Sequence, residues 1–264
     1  MNIIKLFLSA ILLSSCGILD FYKTKPTYKP SSQYSPEDYV RQISFLGQSY
    51  LKQNKSLILP ISKQSQEYFR SIYTRVTARA EKYLKYPIPR KDIKVVILKM
   101  KSPLYFCLPD GTFVFSSRLF EKYLDNEDLF VAVFSTLIYM AHNHIYRKQI
   151  FYPKGSITTR ELLQMVYLSP EVRFEVNKWG YFIMSRAGFD SSAFLSFIQI
   201  KNKNVLEFSM MYKDLNVISR EEYNFKNFIV EMRNIETNRN PRNSSKKFYV
   251  VKKELEKHAR IKSI

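Results

Sequence analysis

Residues 126–140 read NEDLFVAVFSTLIYM. The stretch opens with helix-start chemistry. Asp125 is placed to cap the free amides, and Asp128 puts negative charge where the helix dipole favours it. From Leu129 onward almost every residue is apolar. A helix that is apolar all round is surrounded by protein, so the sequence predicts the central helix of the domain here. Thr136 and Met140 are four residues apart and share one face. One helix offers two ligands to a metal ion at that spacing, yet neither residue is a good zinc ligand.

Working outward, residues 94–100 (KVVILKM) are β-branched and apolar and read as a strand. Residues 105–108 and 112–116 are two further short runs, with Pro109-Asp110-Gly111 as a tight turn between them. This predicts a hairpin packed on the first strand. Helical periodicity appears at 36–55 and at 65–86, where Tyr68, Ile72, Val76 and Ala80 fall on one face. Beyond the central helix, which the pattern carries to about residue 147, Ser169-Pro170-Glu171 is a strong helix start. That helix should stop at Gly188. Asp190 starts another, and residues 248–261 predict a basic final helix with Phe248, Val251, Leu255 and Ala259 on one face. The expectation is an α+β domain, mostly helical, with a small antiparallel sheet beside a buried central helix.

The ends of the chain speak to compartment. Lys5 followed by the apolar run 6–13 is too short to span a bilayer and reads as a secretory signal. It ends Leu13-Ser14-Ser15-Cys16, which resembles the bacterial lipobox whose cysteine is acylated. Gly17, not an aspartate, follows the cysteine, which in a Gram-negative cell points to the outer membrane, facing the periplasm. The expected organisation is a signal peptide at 1–15, a Pro- and Ser-containing tether at 16–38, and a folded domain at 39–264. The lipid bilayer is then a partner through Cys16. Cys107, the second of two cysteines, has no partner for a disulfide and reads as an inert core thiol. A formal charge of +19 predicts attraction to anionic surfaces without choosing among them. An exported, lipidated chain does not meet nucleic acid, so that class is set aside.

With these residues in view, the chain resembles the HtpX/BepA-type zinc metallopeptidases, peptidase family M forty-eight, over roughly residues 60–260. Leu108, Pro109, Gly111, Thr112, Phe113, Val114 and Phe115 resemble that family's LPGG hairpin, whose edge strand holds substrate. Residues 124–128 (LDNED) resemble its L-x-NEDE helix start, and Ala132-Val133 stands where the family has AV before HExxH. Glu175, Gly180 and residues 187–190 (AGFD) fit its ExEADxxG…AGYDP segment, and Asn240-Pro241 with Lys246 fits its late HPxxxxR segment. The resemblance implies a gluzincin-like (minigluzincin) fold.

The departures fall on the chemistry. The HExxH positions hold Thr136, Leu137, Ile138, Tyr139 and Met140. The third ligand of the family aligns with Arg173, its following aspartate with Asn177, and its late histidine with Asn240. Zinc takes imidazole nitrogen, thiolate or carboxylate oxygen. Thr136 offers a neutral hydroxyl, Met140 a soft thioether, and Arg173 a fixed positive charge where a dication would sit. Leu137 cannot accept a proton from water. The expectation is a pseudo-peptidase with no metal or other cofactor. His142 and His144 diverge around the helix and do not form a replacement ligand pair, and His258 lies in the basic tail. Glu175, two residues from Arg173, is not placed to pair with it directly; Arg173 either finds another acid in the old cleft or points to water.

Three functions follow from different classes. The first is a non-catalytic envelope lipoprotein whose hairpin edge accepts extended polypeptide as an adaptor or chaperone in envelope protein quality control. The second is a working metalloendopeptidase with atypical ligands. The third is a structural anchor that holds an envelope polymer through its basic surface. The missing ligands favour the first.

Overall fold

A computed structural model describes residues 28–29, 34–152, 155–212, 214–232 and 244–260. Cys16, the leader, most of the tether and Asn240 lie outside the described residues.

The central helix is present as α4 (Glu127–His142), and every residue in it except Thr136 and Tyr139 is buried. Its cap is Asn126 rather than Asp125. Asn126 is in extended backbone, and its side-chain oxygen accepts from the Leu129 amide at 2.8 Å. Asp125 is one residue too early for that role and pairs with Lys252 at 3.1 Å. The helix ends at His142, earlier than the apolar pattern suggested, and the chain leaves it through His144 at φ 49°.

Around α4 the earlier helices are α1 (Pro36–Gln53), α2 (Lys63–Thr77) and the short α3 (Ser117–Lys122). The later ones are α5 (Thr159–Val166), α6 (Pro170–Arg186), α7 (Ser192–Lys203), α8 (Asn216–Glu231) and α9 (Lys246–Arg260). Ser35, Thr158 and Ser169 cap α1, α5 and α6 through their hydroxyls, the first two in reciprocal capping boxes. The helix expected at 65–86 stops at Thr77. Thr74 and Thr77 turn their hydroxyls onto the Arg70 and Tyr73 carbonyls at 2.9 and 3.0 Å, a local bond that competes with helix continuation.

The sheet contains β2 (Ile58–Leu59), β3 (Lys94–Leu98), β4 (Tyr105–Cys107) and β5 (Thr112–Ser116), in the order β2-β3-β5-β4. A separate two-stranded ladder pairs β1 (Tyr28–Lys29) with β6 (Ile150–Phe151). The α+β class is as expected, but the four-stranded sheet is mixed. The chain leaves β3, runs out to the edge as β4, and hairpins back through Pro109-Asp110-Gly111 into the slot beside β3. That makes β3 and β5 parallel and β4 and β5 antiparallel. Gly111 takes φ 89° in the turn, and Gln48 of α1 holds the turn by donating to Asp110 and Thr112 at 2.7 and 3.0 Å.

Phenylalanines join sheet to helix. Phe113 and Phe115 of β5 meet Phe134 of α4 edge-on at 4.9 and 6.1 Å between centroids, and Phe130 lies 5.7 Å from Phe115. On the other side α4 packs against α6 and α7. Gly180 makes this possible: a Cβ there would lie 2.7 Å from the Thr136 hydroxyl oxygen. The final helix α9 buries Phe248, Val251 and Leu255 against the domain. Its Glu254 accepts from the Ser62 amide at 2.6 Å and also from Ser65. Its apolar stripe is therefore spent on the domain. Among the described residues no helix is long and apolar enough to cross a membrane.

Candidate functional site

The close α4–α6 crossing, strand β4, α5 and the start of α8 enclose a cavity of about 60 Å³. Thr136, Leu137 and Met140 reach it from α4, and Arg173, Val176 and Asn177 from α6. Tyr105 and Phe106 of β4, Leu163 and Val166 of α5, Lys201 of α7 and Glu221 of α8 complete most of the wall. Five of the six positions singled out as a degenerate metal site thus converge on one cavity. The sixth, Asn240, lies outside the described residues.

Periodicity explains the placement. Positions 136, 137 and 140 face one way on α4, and 173, 176 and 177 do the same on α6. The Thr136 hydroxyl donates to the Ala132 carbonyl at 3.1 Å, a helix-internal bond that leaves the side chain lying flat against Gly180.

Glu221 is the hub of the polar wall. It accepts from Asn177 Nδ2 at 2.6 Å, Lys201 Nζ at 2.8 Å and the Tyr212 hydroxyl at 3.1 Å. The side chains of Lys201 and Glu221 are both only 4% exposed, so the pair is fully desolvated and each charge depends on the other. Burial would raise the Glu221 pKa, but Lys201 and then Arg173 outweigh it, and the net direction is down. Burial would likewise lower Lys201; Glu221 outweighs it and the ammonium keeps its proton.

Arg173 is half-buried. Its guanidinium carbon lies 4.3 Å from the Tyr212 ring centroid and 5.2 Å from that of Tyr167. Among the described residues no carboxylate reaches ion-pair distance of it; Glu221 is bonded to Lys201 instead. Glu175 pairs with Lys178 at 2.6 Å on the surface. Tyr139, two positions along from Leu137, turns away from the cavity and stacks on Trp179 at 5.6 Å.

This wall does not suit zinc. It offers a hydroxyl, a thioether, two cations and a carboxylate that Lys201 already occupies. Among the described residues no group of three His, Cys, Asp or Glu side chains is placed to hold a metal ion. His142 is buried against Tyr73 at 2.7 Å, and His144 stacks on Tyr86 at 4.0 Å, each on its own. Cys107 is fully buried, and burial pushes its thiol up to about 12, which suits an inert core residue.

The residues expected to form a peptide-holding edge are placed differently. Thr112, Phe113, Val114 and Phe115 lie in β5, which has β3 on one side and β4 on the other. A strand paired on both sides cannot accept a third. Leu108, Pro109 and Gly111 make the turn, with Leu108 packed under Gly47 of α1. The outer strand of this hairpin is β4, and two of its residues, Tyr105 and Phe106, line the cavity.

Lys201 and Glu221 escaped the sequence reading, although both carried a signal. Each interrupts an apolar stripe at helical spacing: Phe194, Phe197, Ile198 and Lys201 on one helix, Val217, Ile218, Glu221 and Phe225 on the other. One cation and one anion on two buried stripes are expected to find each other. Compared with family models and with curated proteins, the chain matches none.

Proposed function

We propose that this chain is a non-catalytic, metallopeptidase-like lipoprotein of the bacterial envelope, anchored through acylated Cys16, that holds extended polypeptide beside a former reaction centre. The observation that carries this reading is convergence. Thr136, Leu137, Met140, Arg173 and Asn177 share one cavity, bounded by an outer strand, and supply no zinc ligand set. A residue set that keeps its place around a cavity but offers packing and fixed charge suits gripping more than hydrolysis. The holding edge is assigned to Tyr105 and Phe106, since β5 is interior. A role as adaptor or chaperone in envelope protein quality control follows from such grip without cleavage.

Metal analysis of the purified full chain, run beside a casein cleavage assay, tests this. The expected result is zinc far below one ion per chain and no chelator-sensitive cleavage. Tightly held zinc at one ion per chain with cleavage abolished by chelator would establish the metalloendopeptidase instead.

A further inference from the structure

We propose that this cavity, with the groove adjoining it, receives the free carboxylate at the C-terminal end of a polypeptide. The proposal rests on the peptide-holding reading and names the part of the peptide the site recognises.

The first observation is the charge sum. Arg173 and Lys201 bring two positive charges to the cavity wall, and Glu221 brings one negative charge. Glu221 is already bonded to Lys201, Asn177 and Tyr212. Arg173 is left facing the cavity as the excess cation. A guanidinium carries five N–H donors in a planar fork, and its neighbours here are the Tyr212 and Tyr167 side chains. The two rings hold the fork in place, so a ligand that meets it loses little further freedom. An excess of one positive charge in a small cavity matches a mono-anion, and a fork of paired donors matches a carboxylate.

The second observation is the shape. About 60 Å³ admits a carboxylate with part of one aliphatic side chain beside it, and no more of a peptide than that. Leu163, Tyr167 and Met211 line both the cavity and an adjoining groove of about 730 Å³. Arg147 and Arg160 line that groove, and none of its lining residues is acidic. The anionic group therefore belongs at the end of a longer ligand, whose body lies in the groove. The route is positive throughout, with Arg147 and Arg160 in the groove and Arg173 at its inner end, which would draw a chain terminus in. The inner walls contributed by Leu137, Met140 and Val176 are apolar, which suits an aliphatic last side chain beside the carboxylate.

Fluorescence anisotropy on the full chain in detergent solution tests the proposal with four probes. They are a labelled octapeptide ending in leucine with a free carboxylate, the same peptide as the C-terminal amide, the amide with an internal glutamate, and unlabelled N-acetyl-leucine as competitor. The free-acid peptide is expected to bind at least about tenfold more tightly than either amide, the effect of losing a charge-assisted bidentate contact. N-acetyl-leucine is expected to compete only weakly. Arg173→Gln should bring the acid down to the affinity of the amide and leave the amide unchanged. Because Arg173 is half-buried, Arg160→Gln at the exposed rim provides a second variant, expected to weaken the acid severalfold at low salt only.

Equal binding of acid and amide would overturn the carboxylate assignment while leaving peptide holding intact. Preference for the internal glutamate would overturn the terminal assignment. N-acetyl-leucine binding as tightly as the peptide would make the ligand a free small acid. Absence of binding by every peptide would remove the peptide-holding reading and this inference together.

Discussion

His142 shows how much one buried side chain can set. Tyr73 gives its single hydroxyl proton to the Ile88 carbonyl at 2.7 Å, so towards His142 Nε2, also at 2.7 Å, it must accept. The proton therefore sits on Nε2, and Nδ1 is left as a buried atom with no hydrogen-bond partner among the described residues. Charging the ring would put a full charge in a dry site, which the backbone of Tyr86 offsets only in part. Burial accordingly pulls its pKa from 6.5 to about 4. A depressed folded value means the unfolded chain binds the proton first as pH falls. The contribution of neutral His142 is whole above 6.5 and drains away towards pH 4, by about 3 kcal/mol at most. Thermal unfolding at pH 7 and pH 5 should show a loss for the native chain that is markedly smaller in His142→Phe. An identical loss in both would assign the acid sensitivity elsewhere. At this scale the sequence was partly legible. That Thr136, Met140 and Arg173 cannot hold zinc followed from side-chain chemistry alone. Where Arg173 finds its neighbours did not, because Tyr167 and Tyr212 come from two separate segments that only tertiary packing brings together.

Among elements, the crossing of α4 on α6 governs the site. It depends on the missing side chain at Gly180. A Cβ there would meet Thr136 Oγ1 at 2.7 Å, Phe194 at 3.0 Å and the Thr136 Cα at 3.2 Å. Gly180→Ala should push the helices apart and cost about 1–3 kcal/mol, the range for overpacked interiors, read by urea denaturation. Adding Thr136→Ala should recover part of that loss, since it removes the nearest atom but not the Phe194 and backbone contacts. Unchanged stability in Gly180→Ala would mean the two helices have slack. Periodicity found most helices, because 3.6-residue spacing and caps are local. Strand order was not legible for the opposite reason. The same three runs in sequence make an all-antiparallel sheet or this mixed one, and only the slot beside β3 decides. The edge position expected of residues 112–115 therefore belongs to β4.

For the molecule as a whole, the last helix is the closing piece. Phe248 is fully buried and lies 6.5 Å from Phe130 of α4, between ring centroids. At the N-terminal end of α9, Glu127 accepts from Tyr68 at 2.8 Å and from the Ser245 hydroxyl at 2.7 Å. Phe248→Ala should cost about 3–5 kcal/mol by chemical denaturation, since it empties a site walled by the central core. A loss under one kcal/mol would show that α9 is an appendage. These contacts tie residues near 62 and 127 to residues near 245 and 254, across most of the chain's length. The consequence is one of timing. Before the final segment arrives, Glu127 lacks its Ser245 partner, the Ser62 amide lacks Glu254, and the Phe130 side is uncovered. The body cannot reach its finished state until residues 245–255 are available to it, so any factor that shields the unfolded chain must stay engaged until that segment arrives.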